Sequence, residues 1–157
     1  TQTYRTANGG TQTVTSYHYL YNDIIAVNCT ASGEVNWKKA IKKRQRSTND
    51  GGYYSSFFTT VQGNNVYLIY NNTEAGMDEE ETENMNTREK KAARRNILTA
   101  IYSIGENGDI DHKKLFDFED EQERMLVPSA CVRMSQNEIL LFTNSTKEVK
   151  MLGWLTL

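Results

Sequence analysis

Ser32-Gly33-Glu34-Val35-Asn36-Trp37-Lys38-Lys39-Ala40-Ile41 and Asn107-Gly108-Asp109-Ile110-Asp111-His112-Lys113-Lys114-Leu115-Phe116 are two versions of one pattern. The glycine, the acid after it, the β-branched residue, the Lys-Lys pair and the closing apolar residue all recur 75 positions apart. Each copy follows an apolar run, Ile24-Ile25-Ala26-Val27 in the first and Ile97-Leu98-Thr99-Ala100-Ile101-Tyr102 in the second. Strand, Gly-containing tight turn and strand together signal a β-hairpin.

Working outward, a second pair appears downstream. Gly63-Asn64-Asn65-Val66-Tyr67-Leu68-Ile69-Tyr70-Asn71-Asn72 matches Ser135-Gln136-Asn137-Glu138-Ile139-Leu140-Leu141-Phe142-Thr143-Asn144 at an offset of 72. Each again sits behind a strand-like run, Ser56 to Val61 or Ala130 to Met134. Hairpin, linker, hairpin therefore occurs twice in order, with repeat 1 over about 23–72 and repeat 2 over about 97–144. The runs Val66–Tyr70 and Ile139–Phe142 are apolar at consecutive positions. A strand with one wet face alternates, so these predict sheets covered on both faces.

Composition agrees. The 157 residues are 38% apolar and 24% charged, enough for one domain with a sizeable core. Thr and Tyr favour strands, Asn and Gly favour turns, and Pro128 is the one proline. Asn8-Gly9-Gly10 reads as a further hairpin turn near the start, and residues 147–157 as a C-terminal strand. The fold class expected is all-β: an antiparallel meander repeated twice, with flanking N- and C-terminal strands. Thr1 opens the chain without Met, and Leu157 closes it inside the apolar run 151–157. Both ends are expected to be cut from something larger.

The meander resembles the four-stranded blade of a β-propeller. With Ser32-Gly33-Glu34-Val35-Asn36-Trp37, it is similar to repeat domains of uncharacterised bacterial secreted or cell-envelope proteins. That resemblance implies two propeller-like blades and an extracytoplasmic location. The period exceeds the ~40–50 residues of familiar blades because residues 43–52 and 74–95 are inserted. Two blades are also fewer than a closed ring needs.

Insertion 74–95 joins an acidic run, Asp78 to Glu83, to a basic one, Arg88 to Arg95. Having almost no apolar face, it is expected to be a solvated loop with a short helix. Charge is uneven: residues 1–73 carry +4, 74–95 carry −2 and 96–157 carry −4, within a net −2. Six of the nine residues Lys38–Arg46 are basic, whereas Asp117–Glu123 holds five acids in seven. Opposed charge on corresponding edges favours pairing, within the chain or by self-association, over nucleic-acid binding. No stretch approaches the ~20 apolar residues of a membrane span.

Catalytic signatures are absent from the sequence, including G-x-S-x-G, the P-loop, H-E-x-x-H and G-x-G-x-x-G. His18 and His112 read as packing residues, and Cys29 and Cys131 as buried free thiols. Gly105 to Asp111 lacks the ligand spacing of a calcium loop and reads as a turn. No catalytic residue, metal ligand or cofactor is assigned. The loop Asn49-Asp50-Gly51-Gly52-Tyr53-Tyr54 is the candidate contact surface, because rings stack on a carbohydrate or peptide while amide and carboxylate groups hydrogen-bond. Asn49, Asp50, Tyr53 and Tyr54 are its binding residues. The functional expectation is a non-enzymatic binding or structural module with a protein or carbohydrate ligand. The alternative is a fragment of a propeller enzyme acting on glycans.

Overall fold

A computed structural model describes residues 1–77, 79–94, 96–117, 124–145 and 150–157. The expected all-β, antiparallel character is what forms. Hairpin β1 (Gln2–Arg5) and β2 (Thr11–Val14) is exposed along its whole length. β3 (His18–Tyr21) pairs with β6 (Gln45–Thr48), and between them β4 (Ile24–Cys29) pairs with β5 (Val35–Ile41). β7 (Phe58–Gln62), β8 (Asn65–Thr73), β9 (Ile97–Ile104) and β10 (Ile110–Asp117) make one four-stranded meander. In the last sheet β13 (Glu138–Ser145) pairs with β14 (Lys150–Thr156) and, on its other side, with β11 (Arg124–Leu126) and β12 (Val132–Arg133).

The strands therefore group across the repeat boundary. The second hairpin of repeat 1, β7–β8, joins the first hairpin of repeat 2, β9–β10, through eight paired positions from Val66↔Ile104 to Thr73↔Ile97. The physical reason is legible in β8 and β9. Both are apolar on consecutive residues, so both need cover on two faces, and mutual pairing makes them the central strands.

Two cores result. On one face Leu68, Tyr70, Leu98, Ala100, Tyr102 and Ile104 pack with Ile24 and Ile41 of the β4–β5 hairpin. On the other, Ile69 and Ile101 pack with Leu126, Cys131, Ile139 and Leu141 of the β11–β14 sheet. Tyr70, Tyr102 and His112 stack across three strands, with successive centroids 5.1 Å apart. His112 is thus a packing ring, as expected. Cys131 is buried and free, but Cys29 is exposed at the end of β4, unlike the expectation.

The repeated glycines make the same turn. Gly33 N–H donates to Thr30 C=O and Thr30 N–H to Glu34 C=O; Gly108 N–H donates to Gly105 C=O and Gly105 N–H to Asp109 C=O. Gly33 and Gly108 have φ of +87° and +81°, a left-handed conformation in which glycine has no Cβ penalty. Thr6–Gly10 repeats the pattern in the first hairpin. Trp37 then ties the two copies together. Its indole lies against Gly108, and its Nε1–H donates to Glu106 C=O at 2.7 Å.

Insertion 74–95 is more ordered than a loop. It forms α1 (Glu74–Met77), α2 (Glu79–Asn84) and α3 (Thr87–Ala93). Asn86 caps α3, accepting from Arg88 and Glu89 N–H while the Glu89 carboxylate accepts from Asn86 N–H. Met77 packs on the first core and Ala93 is buried. Glu74 N–H bonds Asn96 C=O, so the excursion leaves and rejoins the sheet at neighbouring points. Glu119 to Glu123, most of the acidic run, lies outside the described residues. No described helix is long and apolar enough to cross a membrane.

Candidate functional site

The loop from β6 to β7 is shaped by its backbone. Asn49 and Ser56 adopt φ of 60° and 78°, and Gly51 and Gly52 both 69°. Asparagine tolerates the left-handed region better than other non-glycine residues, whereas at Ser56 it costs about 1–2 kcal/mol and persists only where surroundings over-determine it. Those surroundings are identifiable. Asn49 exchanges two bonds with Tyr17: its N–H donates to Tyr17 C=O, and its Oδ1 accepts from Tyr17 N–H. Ser56 N–H donates to Gln45 Oε1 at 3.0 Å, and Gln45 Nε2 donates to Asn71 C=O at 2.7 Å. At Gly52 any Cβ would lie 2.7 Å from the Tyr21 hydroxyl, so only glycine fits.

Asp50 holds the turn, its Oδ1 accepting from Ser47 Oγ at 2.7 Å and from Gly52 N–H at 2.9 Å. Partial desolvation pushes the Asp50 carboxyl up, but these bonds outweigh it and leave it below its ordinary value. It is therefore a fixed carboxylate acceptor at neutral pH. Tyr53 is exposed and meets half-buried Tyr54 edge-on, centroids 5.1 Å apart. Tyr54 OH accepts from Asn144 Nδ2 at 3.3 Å.

A groove of about 370 Å³ opens beside this loop. Residues 44–47, Asp50, Tyr54 and Ser55 line it together with Asn71, Asn72, Thr73, Arg94, Ile97 and Met125. Of the residues singled out in the sequence, Asp50 and Tyr54 stand on its wall. Tyr53 adjoins through Tyr54, and Asn49 braces the turn from outside. Asn71 is a buried structural part of that wall: Nδ2 donates to the carbonyls of Tyr54 and Leu126, and Oδ1 accepts from Leu126 N–H and the Thr99 hydroxyl.

A second cavity, about 480 Å³, continues from the first and shares Arg44, Asn72, Thr73 and Arg94 with it. It lies between the β5–β6 connection and the helical insertion, with Lys42, Lys43, Gly76, Thr82 and Glu83 also on its wall. Lys42 is held 3.6 Å from Asp23. The Lys43 N–H, against partial desolvation, and then the Lys42 ammonium hold the Asp23 carboxyl below its ordinary value. Lys43 is 3% exposed and its Nζ lies 5.2 Å above the Tyr21 ring. Burial pushes its pKa down to about 8, so it remains mostly protonated at neutral pH.

No family model, curated protein or solved structure matches this chain. Its site therefore rests on its own geometry. Among the described residues no three His, Cys, Asp or Glu side chains converge as a metal site would require. Sequence reading missed three contributors: Gln45 and Asn71, which brace the loop, and Arg94, which the insertion delivers to the groove. The basic run Lys38–Arg46 was visible, but its division into a wet strand end and a buried Lys43 was not.

Proposed function

We propose that this chain is a non-enzymatic binding module of an extracytoplasmic protein, and that its β scaffold presents the 44–55 groove to a carbohydrate ligand. The observation carrying this reading is the strained, rigidly braced loop that sets Asp50 and Tyr54 on the groove wall with Tyr53 exposed beside them. Strain retained in an exposed loop is characteristic of contact surfaces. Aromatic faces with fixed carboxylate, amide and guanidinium groups match the alternation of C–H faces and hydroxyls on a sugar.

Calorimetric titration with a panel of neutral and acidic oligosaccharides tests the proposal. Tyr53→Ala, which removes only an exposed ring, is expected to weaken the bound saccharide about tenfold, and Asp50→Ala with Tyr53→Ala to weaken it further. Circular dichroism melting checks that both variants stay folded. Unchanged affinity in the folded double variant removes this loop from the function.

A further inference from the structure

Lys43 is the anomaly of the second cavity. A buried ammonium is ordinarily paired, because desolvation penalises the charge unless a partner compensates. Among the described residues Lys43 makes no ion pair or side-chain hydrogen bond, and its only recorded partner is the face of Tyr21. A ring face attracts a cation but leaves its N–H donors unused. Arg44 and Arg94 line the same cavity, both exposed, and neither forms an ion pair among the described residues. Lys42 is already occupied by Asp23, and Glu83 is the one acid on the described wall. Among the described residues, Lys43, Arg44 and Arg94 thus face Glu83 as the single acid on the wall.

We propose that this cavity is an anion site for a tetrahedral dianion, a phosphate or sulfate group, with Lys43 as its buried anchor and Arg44 and Arg94 as its outer donors. Guanidinium forks match two oxygens of such a group at once, and an ammonium serves as a point charge behind them. The Thr73 hydroxyl, whose oxygen accepts from Gly76 N–H, retains its own proton to donate. A volume of about 480 Å³ suits an anion carried on a larger organic body. Because the cavity adjoins the 44–55 groove, a sulfated or phosphorylated saccharide could occupy both; that last step alone rests on the carbohydrate reading.

The test is calorimetry at pH 7 and constant ionic strength with sodium phosphate, sodium sulfate and sodium chloride as probes. Both dianions, or one of them, are expected to bind at least tenfold more tightly than chloride. Lys43→Met and Arg94→Gln should each weaken that binding about tenfold or more. Arg133→Gln should leave it unchanged, since that guanidinium donates to the carbonyls of Ser135 and Gln136. Should Lys43→Met fail to fold, Arg94→Gln on its exposed side chain still decides. Phosphate and sulfate no tighter than chloride, or dianion affinity indifferent to the cavity variants, overturns the proposal. Such a failure beside intact oligosaccharide binding would leave the groove reading standing, and the converse would leave the anion site.

Discussion

Asn71→Leu is expected to lower the stability of the fold by roughly 4 kcal/mol, a large share of the ~5–15 kcal/mol typical of a domain. The two side chains share a branched four-atom skeleton, so leucine opens no cavity there. The cause is hydrogen bonding. β11 is an edge strand, and Asn71 covers that edge as a neighbouring strand would, accepting from Leu126 N–H at 3.0 Å and donating to Leu126 C=O at 2.7 Å. It also serves Tyr54 C=O and the Thr99 hydroxyl. Leucine strips the partner from the buried Leu126 N–H and C=O and the buried Thr99 hydroxyl, each costing about 1–3 kcal/mol if left unpaired, and from the part-buried Tyr54 C=O. Urea denaturation measures the loss as a lower midpoint. A change under 1 kcal/mol would show that water or a shifted strand replaces the amide. Because the Asn71 side chain holds the Tyr54 carbonyl, saccharide affinity should fall with stability, while the Gln45 brace of Ser56, which uses the Asn71 backbone carbonyl, is kept.

Gly108→Ala is expected to cost about 3 kcal/mol, while Gly33→Ala costs only about 1 kcal/mol. The two positions share a turn and nearly the same φ, so the left-handed penalty is common to both. They differ in surroundings. A Cβ at Gly33 meets nothing within 4 Å, whereas one at Gly108 lies 2.9 Å from Trp37 Cδ2 and 3.0 Å from Lys39 Cε. Relieving that clash moves the indole off the turn and loosens its bond to Glu106 C=O, adding about 1–2 kcal/mol of lost bonding and packing. In a Trp37→Ala background the extra cost at Gly108 should disappear, leaving both glycines equal. Equal costs in the original background would mean that Trp37 does not dock where the structure places it.

Those two sites show what was legible in the sequence. The hairpins at Gly33 and Gly108 were readable because a positive-φ turn requires glycine and a strand requires apolar neighbours, both local demands. Covering of β8 on both faces was readable too, from five consecutive apolar residues. The partner of β8 was not, because the repeat spacing records likeness between segments and says nothing of which strands pair. The insertion hid the junction: 23 residues separate Thr73 from Ile97, yet these two are opposite each other in the sheet. Its helices carried one usable sign, the Asn86-Thr87-Arg88-Glu89 capping box, masked by the lack of an apolar stripe.

The candidate site divides in the same way. Asp50 and the tyrosines stood out because turn residues beside aromatic rings are a local signature. Asn71 sits in an apolar run where a polar residue looks like a strand end, and its role depends on Leu126, 55 positions away. Lys43 is one of six cations in a short stretch, and only burial against the Tyr21 ring separates it from the rest. Long-range packing, absent from any window of sequence, assigned both roles.

Backbone amide NMR during titration with the oligosaccharide panel tests the central claim most directly. Shift changes clustered on residues 44–55, 71–73 and 94 for at least one saccharide are the result predicted. No perturbation by any saccharide, or changes confined to the exposed β1–β2 hairpin and the outer face of β4–β5, would contradict it.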